Sequence, residues 1–174
     1  MPRKTLKQRK QEAALERNTI GSRIMARAGG GQDPNWYANE LFTELQQNRA
    51  EAGPGSLCFF QYNAKSPERY PFYDRRPLAY IIEISSTRIL GANLHYLNPG
   101  IREEVAASLI NKKQVDFSVG YSKLIHSYIP SNMGDMYAIP VNGNEYRDVA
   151  KLVTENFVDK TGIFVSPETA WDSI

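Results

Sequence analysis

The chain has 174 residues, enough for one domain with a proper core plus appendages, and 41% of them are apolar. The formal charge is +2 at neutral pH, and a single cysteine, Cys58, excludes an internal disulfide framework. No run of 18 apolar residues occurs, so no membrane span is expected, and the basic N-terminus leads into no apolar segment, so it does not read as a secretory signal. The small net charge hides an asymmetry. Residues 1–28 hold eight Lys/Arg against two Glu, net +6, and the rest holds 13 basic against 17 acidic residues, net −4. A basic arm on a mildly acidic body is a statement about partners rather than about fold.

In chain order, residues 1–28 are rich in helix formers, but Leu6, Ala13, Ala14, Ile20, Ile24 and Met25 are too sparse to build a core. A polar helix of this length is marginal in water. The segment therefore reads as an arm that orders on a partner, either phosphates or an acidic protein face. Its candidate contact residues are Arg3, Lys4, Lys7, Arg9, Lys10 and Arg17. Gly29–Gly31 is a flexible joint, so residues 1–32 are set apart from a single domain over 33–174. Asp33 as N-cap and Pro34 in the first turn start a helix over 35–48, with Tyr37, Leu41 and Leu45 on one face.

Three β-rich runs follow within about forty residues: 57–62, 78–84 and 88–97, the last interrupted by Gly91. The first is apolar almost throughout, which suggests a strand buried on both sides, and Cys58 within it reads as a small core residue. Gly91 marks a bulge or a close approach. The connection 66–77 is rich in Pro and Tyr, and a proline at each end of 71–77 makes it stiff. A short helix is expected over 101–111. The signal then weakens, and 116–129 reads as helix or strand, with Tyr121, Ile125 and Tyr128 slightly favouring a helical face. Beyond it, a strand at 137–141, a helix over 145–157 with Val149, Leu152, Val153 and Phe157 inward, a short strand at 163–165 and a last turn bearing Trp171 are expected. The whole predicts an α+β chain: a small, curved, barrel-like antiparallel β unit flanked by helices, with an extended basic N-terminal arm.

The residues offer little catalytic chemistry. Gly29–Gly31 is followed by Gln-Asp-Pro rather than Lys-Ser/Thr, so no phosphate-cradling loop forms, and no CxxC or HxH spacing supports a metal site. His95 and His126 lie in separate apolar contexts, and His95 reads as a core or barrel-wall histidine bonded to a backbone carbonyl. A metal-dependent nuclease needs several converging carboxylates, and Asp74 with Glu83 is one short. Asp74 instead reads as a turn cap paired with an arginine. Tyr70, Tyr73, Arg75 and Arg76 form a candidate surface patch suited to stacking and phosphates or to a protein interface. No cofactor, metal or small-molecule substrate is expected.

The order Tyr62-x-x-Lys65, Pro71-Phe72-Tyr73-Asp74-x-x-Pro77-Leu78, then Leu90-Gly91-x-Asn93-Leu94-His95-Tyr96-Leu97-x-Pro99 and Arg102, covers about a quarter of the chain. It resembles a family from contractile-tailed bacteriophages, common in marine cyanophages, that carries the name DNA end protector protein. Members usually have Gly-Gly-Phe before the Leu-Gly-x-Asn element, where this chain has Ser86-Thr87-Arg88-Ile89, and residues 112–136 match poorly. Asp74, Gly91, Asn93, His95 and Tyr96 are then structural motif positions. The resemblance implies a non-enzymatic virion component, assembled in the host cytoplasm, that caps the end of packaged linear DNA and contacts other virion proteins. The alternative is a tail, neck or baseplate protein whose arm binds neighbouring subunits.

Overall fold

The computed structural model describes residues 3–65, 71–110, 122–141 and 144–172. Its centre is strand β1 (Leu57–Phe59), which starts an antiparallel sheet continued by β3 (Leu78–Ile84), β4 (Ile89–Asn93), β5 (Ile125–Tyr128) and β6 (Tyr137–Ala138). The spatial order is β5-β4-β3-β1-β6. The sheet is open, with β5 and β6 at its edges. Strand β2 (Tyr73–Asp74) stands apart and pairs with β7 (Phe157–Val158).

Leu57 and Phe59 point into the larger core, and Cys58 and Phe60 into a smaller one on the other face. That two-sided burial is why this run reads as apolar without alternation. Gly91 is a close approach: a Cβ there would lie 3.3 Å from Ala79 Cβ and 3.4 Å from the Tyr80 carbonyl oxygen. The register shift falls across from it, between Ile81 and Glu83 of β3.

Helices cover the larger core. In α3 (Pro34–Gln47) the Asp33 carboxylate accepts from Trp36 N at 2.8 Å, and Tyr37, Ala38, Leu41 and Leu45 are buried. The helix α4 (Pro99–Ile110) packs on α5 (Glu145–Ala150), and α6 (Pro167–Trp171) closes the described chain. No helix among the described residues is long and apolar enough to cross a membrane.

Three elements differ from expectation. The first is the arm. Residues 3–28 hold two helices, α1 (Leu6–Arg17) and α2 (Ile20–Ala28), and α2 belongs to the core: Ile20, Ile24 and Ala28 are buried at four-residue spacing. That narrow stripe suffices because α2 lies almost against the α5 backbone, where a Cβ on Gly21 would fall 2.5 Å from the Asp148 carbonyl carbon. The Thr19 side chain caps α2 by accepting from Ser22 N, and its hydroxyl donates to Asp148 at 2.6 Å. Glu145 accepts from Ile20 N at 2.9 Å. Gly29, at φ +60°, ends the helix. Only α1 remains arm-like. It carries its own capping box, with Thr5 N donating to Gln8 and Gln8 N to Thr5, but among the described residues it makes no extensive contact with another element, and Leu6 is 70% exposed.

The second is the slight lean toward helix at 125–128: of the two readings left open there, helix or strand, the structure has strand. Backbone pairing with β4 overrides the three- and four-residue spacing of apolar side chains. Ser122–Leu124 just before this strand is a 3-10 turn, and residues 111–121 lie outside the described residues. The third is that the helix expected over 145–157 stops at Ala150. The side chains of Thr154 and Glu155 turn the chain into the core, and Val153 is exposed rather than inward.

Two measurements check the docking of α2. Gly21→Ala forces a methyl into the α5 backbone and should lower stability by about 1–3 kcal/mol in urea unfolding, whereas Leu6→Ala on the undocked helix should change it by less than about 0.5 kcal/mol. Burial pushes the Glu145 carboxyl up from 4.5 to about 7, against the pull of the Ile20 amide. A raised folded value means the stabilising contribution is full below about 4.5 and is lost as pH rises through 7. Wild-type stability should therefore fall across that window by up to roughly 3 kcal/mol more than in Glu145→Gln.

Candidate binding site

Asp74, 3% exposed, is the hub of a buried polar network. Its Oδ1 accepts from Arg76 N at 3.0 Å and Asn156 N at 3.3 Å. Its Oδ2 accepts from Asn93 Nδ2 at 3.0 Å and His95 Nδ1 at 2.7 Å. Burial alone pushes this carboxyl up, but the His95 imidazole and the hydrogen bonds from His95, Asn93 and the Arg76 amide outweigh it and hold the group below the ordinary carboxylate value.

The remaining motif residues extend the network. Asn93 ends β4, and its side-chain oxygen accepts from His95 N at 3.1 Å, so the chain leaves the ladder and winds into a 3-10 turn, Leu94–Tyr96. His95 Nε2 lies 2.8 Å from Thr154 Oγ1, and Trp171 Nε1 donates to the His95 carbonyl at 3.0 Å. Arg102, 0% exposed, donates to the Leu94 carbonyl at 3.1 Å and the Leu97 carbonyl at 3.0 Å, and forms a buried ion pair with Glu155. A carboxylate, an imidazole and a hydroxyl in line have the geometry of a hydrolytic relay. Thr154 is 0% exposed, however, and the neighbouring cavity is walled by Asp74 and Asn93 rather than by His95 or Thr154. The line holds elements together; it presents no nucleophile.

That cavity, about 560 Å³, opens between β5 and the 72–74 segment. Its walls are aromatic. Tyr96 stacks on His126 with ring centroids 4.6 Å apart, and Tyr62 meets Tyr128 edge-on at 5.0 Å. Phe72 and Tyr73 complete the rings, and Lys65 stands exposed at the rim. Burial lowers the His126 pKa, against the charge of Asp74 and a bond to the Lys123 carbonyl. Burial, then Tyr96 and Asp74, raise that of Tyr128 well above its usual value. His126 Nε2 and the Tyr128 hydroxyl are buried without a hydrogen bond of ordinary geometry, although the hydroxyl feels the nearby Asn93 side chain.

The structure distributes the expected site residues unevenly. Arg3, Lys4, Lys7, Arg9 and Lys10 are exposed on and just before α1. Arg17 ends that helix, and its side chain lies outside what is described. Arg23 and Arg27 pair with Glu44 and Glu40 of α3, so they belong to the body rather than the arm. The Tyr-Arg patch does not form on one surface. Tyr70 lies outside the described residues, Tyr73 faces the cavity, Arg75 is exposed and Arg76 is 7% exposed. The extended backbone through β2 alternates, so Arg76 turns inward with Asp74 while Arg75 turns out. Asp74 caps its turn as expected, but its side-chain partners are His95 and Asn93 and not an arginine. Likewise His95 is a core residue bonded to two side chains rather than to a carbonyl. Glu83 sits on β3 four residues beyond Ala79, the partner of Asn93, and does not join Asp74.

Sequence reading missed Thr154, Glu155 and Asn156, hidden inside a stretch read as helix, and the pair His126 and Tyr128. Three consecutive polar residues after an inward-facing Leu152 are the one signal that could have flagged the first group.

Asp74→Ala strands two side-chain donors and two amides in the core and should cost about 3–5 kcal/mol in thermal or urea unfolding. Thr154→Val removes one bond and should cost about 1–2 kcal/mol. Because the folded Asp74 value is depressed, its contribution is present above the ordinary carboxylate range and disappears as pH falls through the folded value, so acid unfolding should shift to higher pH in Asn93→Ala, which removes one of the lowering donors. Comparison with protein-family models, curated proteins and solved structures finds no match for this chain.

Proposed function

We propose that this chain is a non-enzymatic structural component of a tailed-bacteriophage virion that binds the end of packaged linear DNA through its basic arm. The observation that carries this reading is α1. Its cations lie on and just before a helix that, among the described residues, makes no extensive contact with another element, while the helix after it is fixed in the core. Such a helix has little to hold it in isolation and gains order from an anionic surface. The Leu-Gly-x-Asn-Leu-His-Tyr-Leu motif supports the family reading in a particular way. Its polar residues, with Asp74 and Arg102, build the scaffold that holds the body, so the resemblance falls on residues that set a shape. The sealed Thr154 hydroxyl fits a role without catalysis.

A second reading is a neck, tail or baseplate protein whose arm lies on neighbouring subunits. It is favoured by Arg23 and Arg27, which show this same basic segment pairing with carboxylates on a helix. The arm's six cations, Arg3, Lys4, Lys7, Arg9, Lys10 and Arg17, decide between the two readings.

Binding to linear duplex DNA should fall with salt on a log–log slope of about −5 or somewhat shallower. Removing residues 1–17 should abolish it while leaving the unfolding midpoint unchanged. Closed circular DNA of the same sequence should compete poorly. A flat salt slope, or full binding by the truncated chain, contradicts the DNA role and leaves the subunit-binding reading.

A further inference from the structure

The arm-based reading makes no use of the cavity beside β5. Three observations restrict what fits there. The walls present ring faces and edges from Tyr62, Tyr96, Tyr128 and Phe72. Two buried polar atoms in those walls, His126 Nε2 and the Tyr128 hydroxyl, have no partner of ordinary geometry. Burial favours the neutral His126 ring, and a neutral imidazole keeps one nitrogen lone pair free to accept. The third observation is charge. Asp74 lines the wall with its carboxylate buried just behind it, and the field of that carboxylate acts on both His126 and Tyr128.

We propose that this cavity receives the guanidinium of an arginine side chain, delivered by the basic arm of a second copy of this chain. A planar cation lies against aromatic faces, and its several N–H groups donate to the imidazole and phenol oxygen while Asp74 supplies negative potential behind them. Lys65, the other cation in the wall, is exposed at the rim and free to swing into water. A nucleotide also stacks on such rings, but it carries a phosphate toward the Asp74 field, which disfavours it. The arm supplies the matching chemistry: Arg3 is exposed just before α1 and Arg9 on it, and among the described residues α1 makes no extensive contact with the body. An arm of one copy in the cavity of the next is a head-to-tail contact, which closes into a ring or extends as a filament. The inference concerns the β5 cavity and does not rest on DNA binding.

The test follows tyrosine ring resonances of the full chain during titration with N-acetyl-arginine amide, N-acetyl-lysine amide and deoxyadenosine monophosphate. The arginine amide should shift the cavity rings saturably, the lysine amide should bind about tenfold more weakly and the nucleotide should not compete. Tyr128→Phe keeps the ring and loses the hydroxyl, and should weaken arginine binding about three- to tenfold. Ser127→Arg, at an exposed edge position lining the cavity, should block it. A synthetic peptide of residues 3–17 should bind the same rings, and sedimentation should show concentration-dependent self-association that Ser127→Arg abolishes. Absence of saturable arginine binding to folded protein, tighter binding of the nucleotide, or indifference to both variants overturns the cavity assignment. Arginine-amide binding without peptide binding or self-association overturns the second copy as its source.

Discussion

The ionised carboxylate of Asp74, enclosed in protein and satisfied by four donors, is the constraint on which the rest of this structure depends. A buried charge is tolerable only when its surroundings replace the water it has lost. Here the replacements come from far along the chain: the Arg76 amide next door, Asn93 and His95 at the end of β4, and the Asn156 amide beyond α5. Satisfying one carboxylate therefore fixes where β2, the 3-10 turn and the start of β7 must lie. Arg102 and Glu155 repeat the device a few ångströms of chain away, anchoring α4 to the same loop. Hydrophobic burial supplies most of the driving force, but these polar groups choose one arrangement among the many that would bury the same area.

This division of labour bears on function. The stretch 90–97 carries Asn93 and His95, which donate to Asp74, together with Gly91, whose lack of a side chain lets β4 approach β3. Those residues set the shape of the body. The surfaces proposed to meet partners lie elsewhere: the basic helix α1 and the aromatic cavity against edge strand β5.

Much of the architecture was legible in the residues where local and tertiary signals agree. Asp33-Pro34 opens α3, and Tyr37, Leu41 and Leu45 face the core as their spacing indicates. The unbroken apolar run at Leu57 does become a strand buried on both sides. Legibility failed where a long-range contact overruled a local pattern. Ile20 and Ile24 seem too few to dock a helix until Gly21 lets α2 approach α5 at backbone distance. The 125–128 segment has helical spacing but pairs with β4. The polar run Thr154-Glu155-Asn156 looks like a solvated helix end, yet each residue answers a buried partner more than fifty positions earlier. Asp74 was recognised as a turn cap because that bond is local; its bond to His95 spans 21 residues and leaves no trace in spacing.

The most direct test of this account is amide hydrogen exchange, residue by residue, on the isolated full-length chain. The network predicts that the amides of Arg76, His95 and Asn156, together with the core amides of α2, exchange only through global unfolding, while those of α1 exchange at rates close to an unstructured peptide. Protection of α1 equal to that of α2, or early exchange of the three network amides, would contradict it.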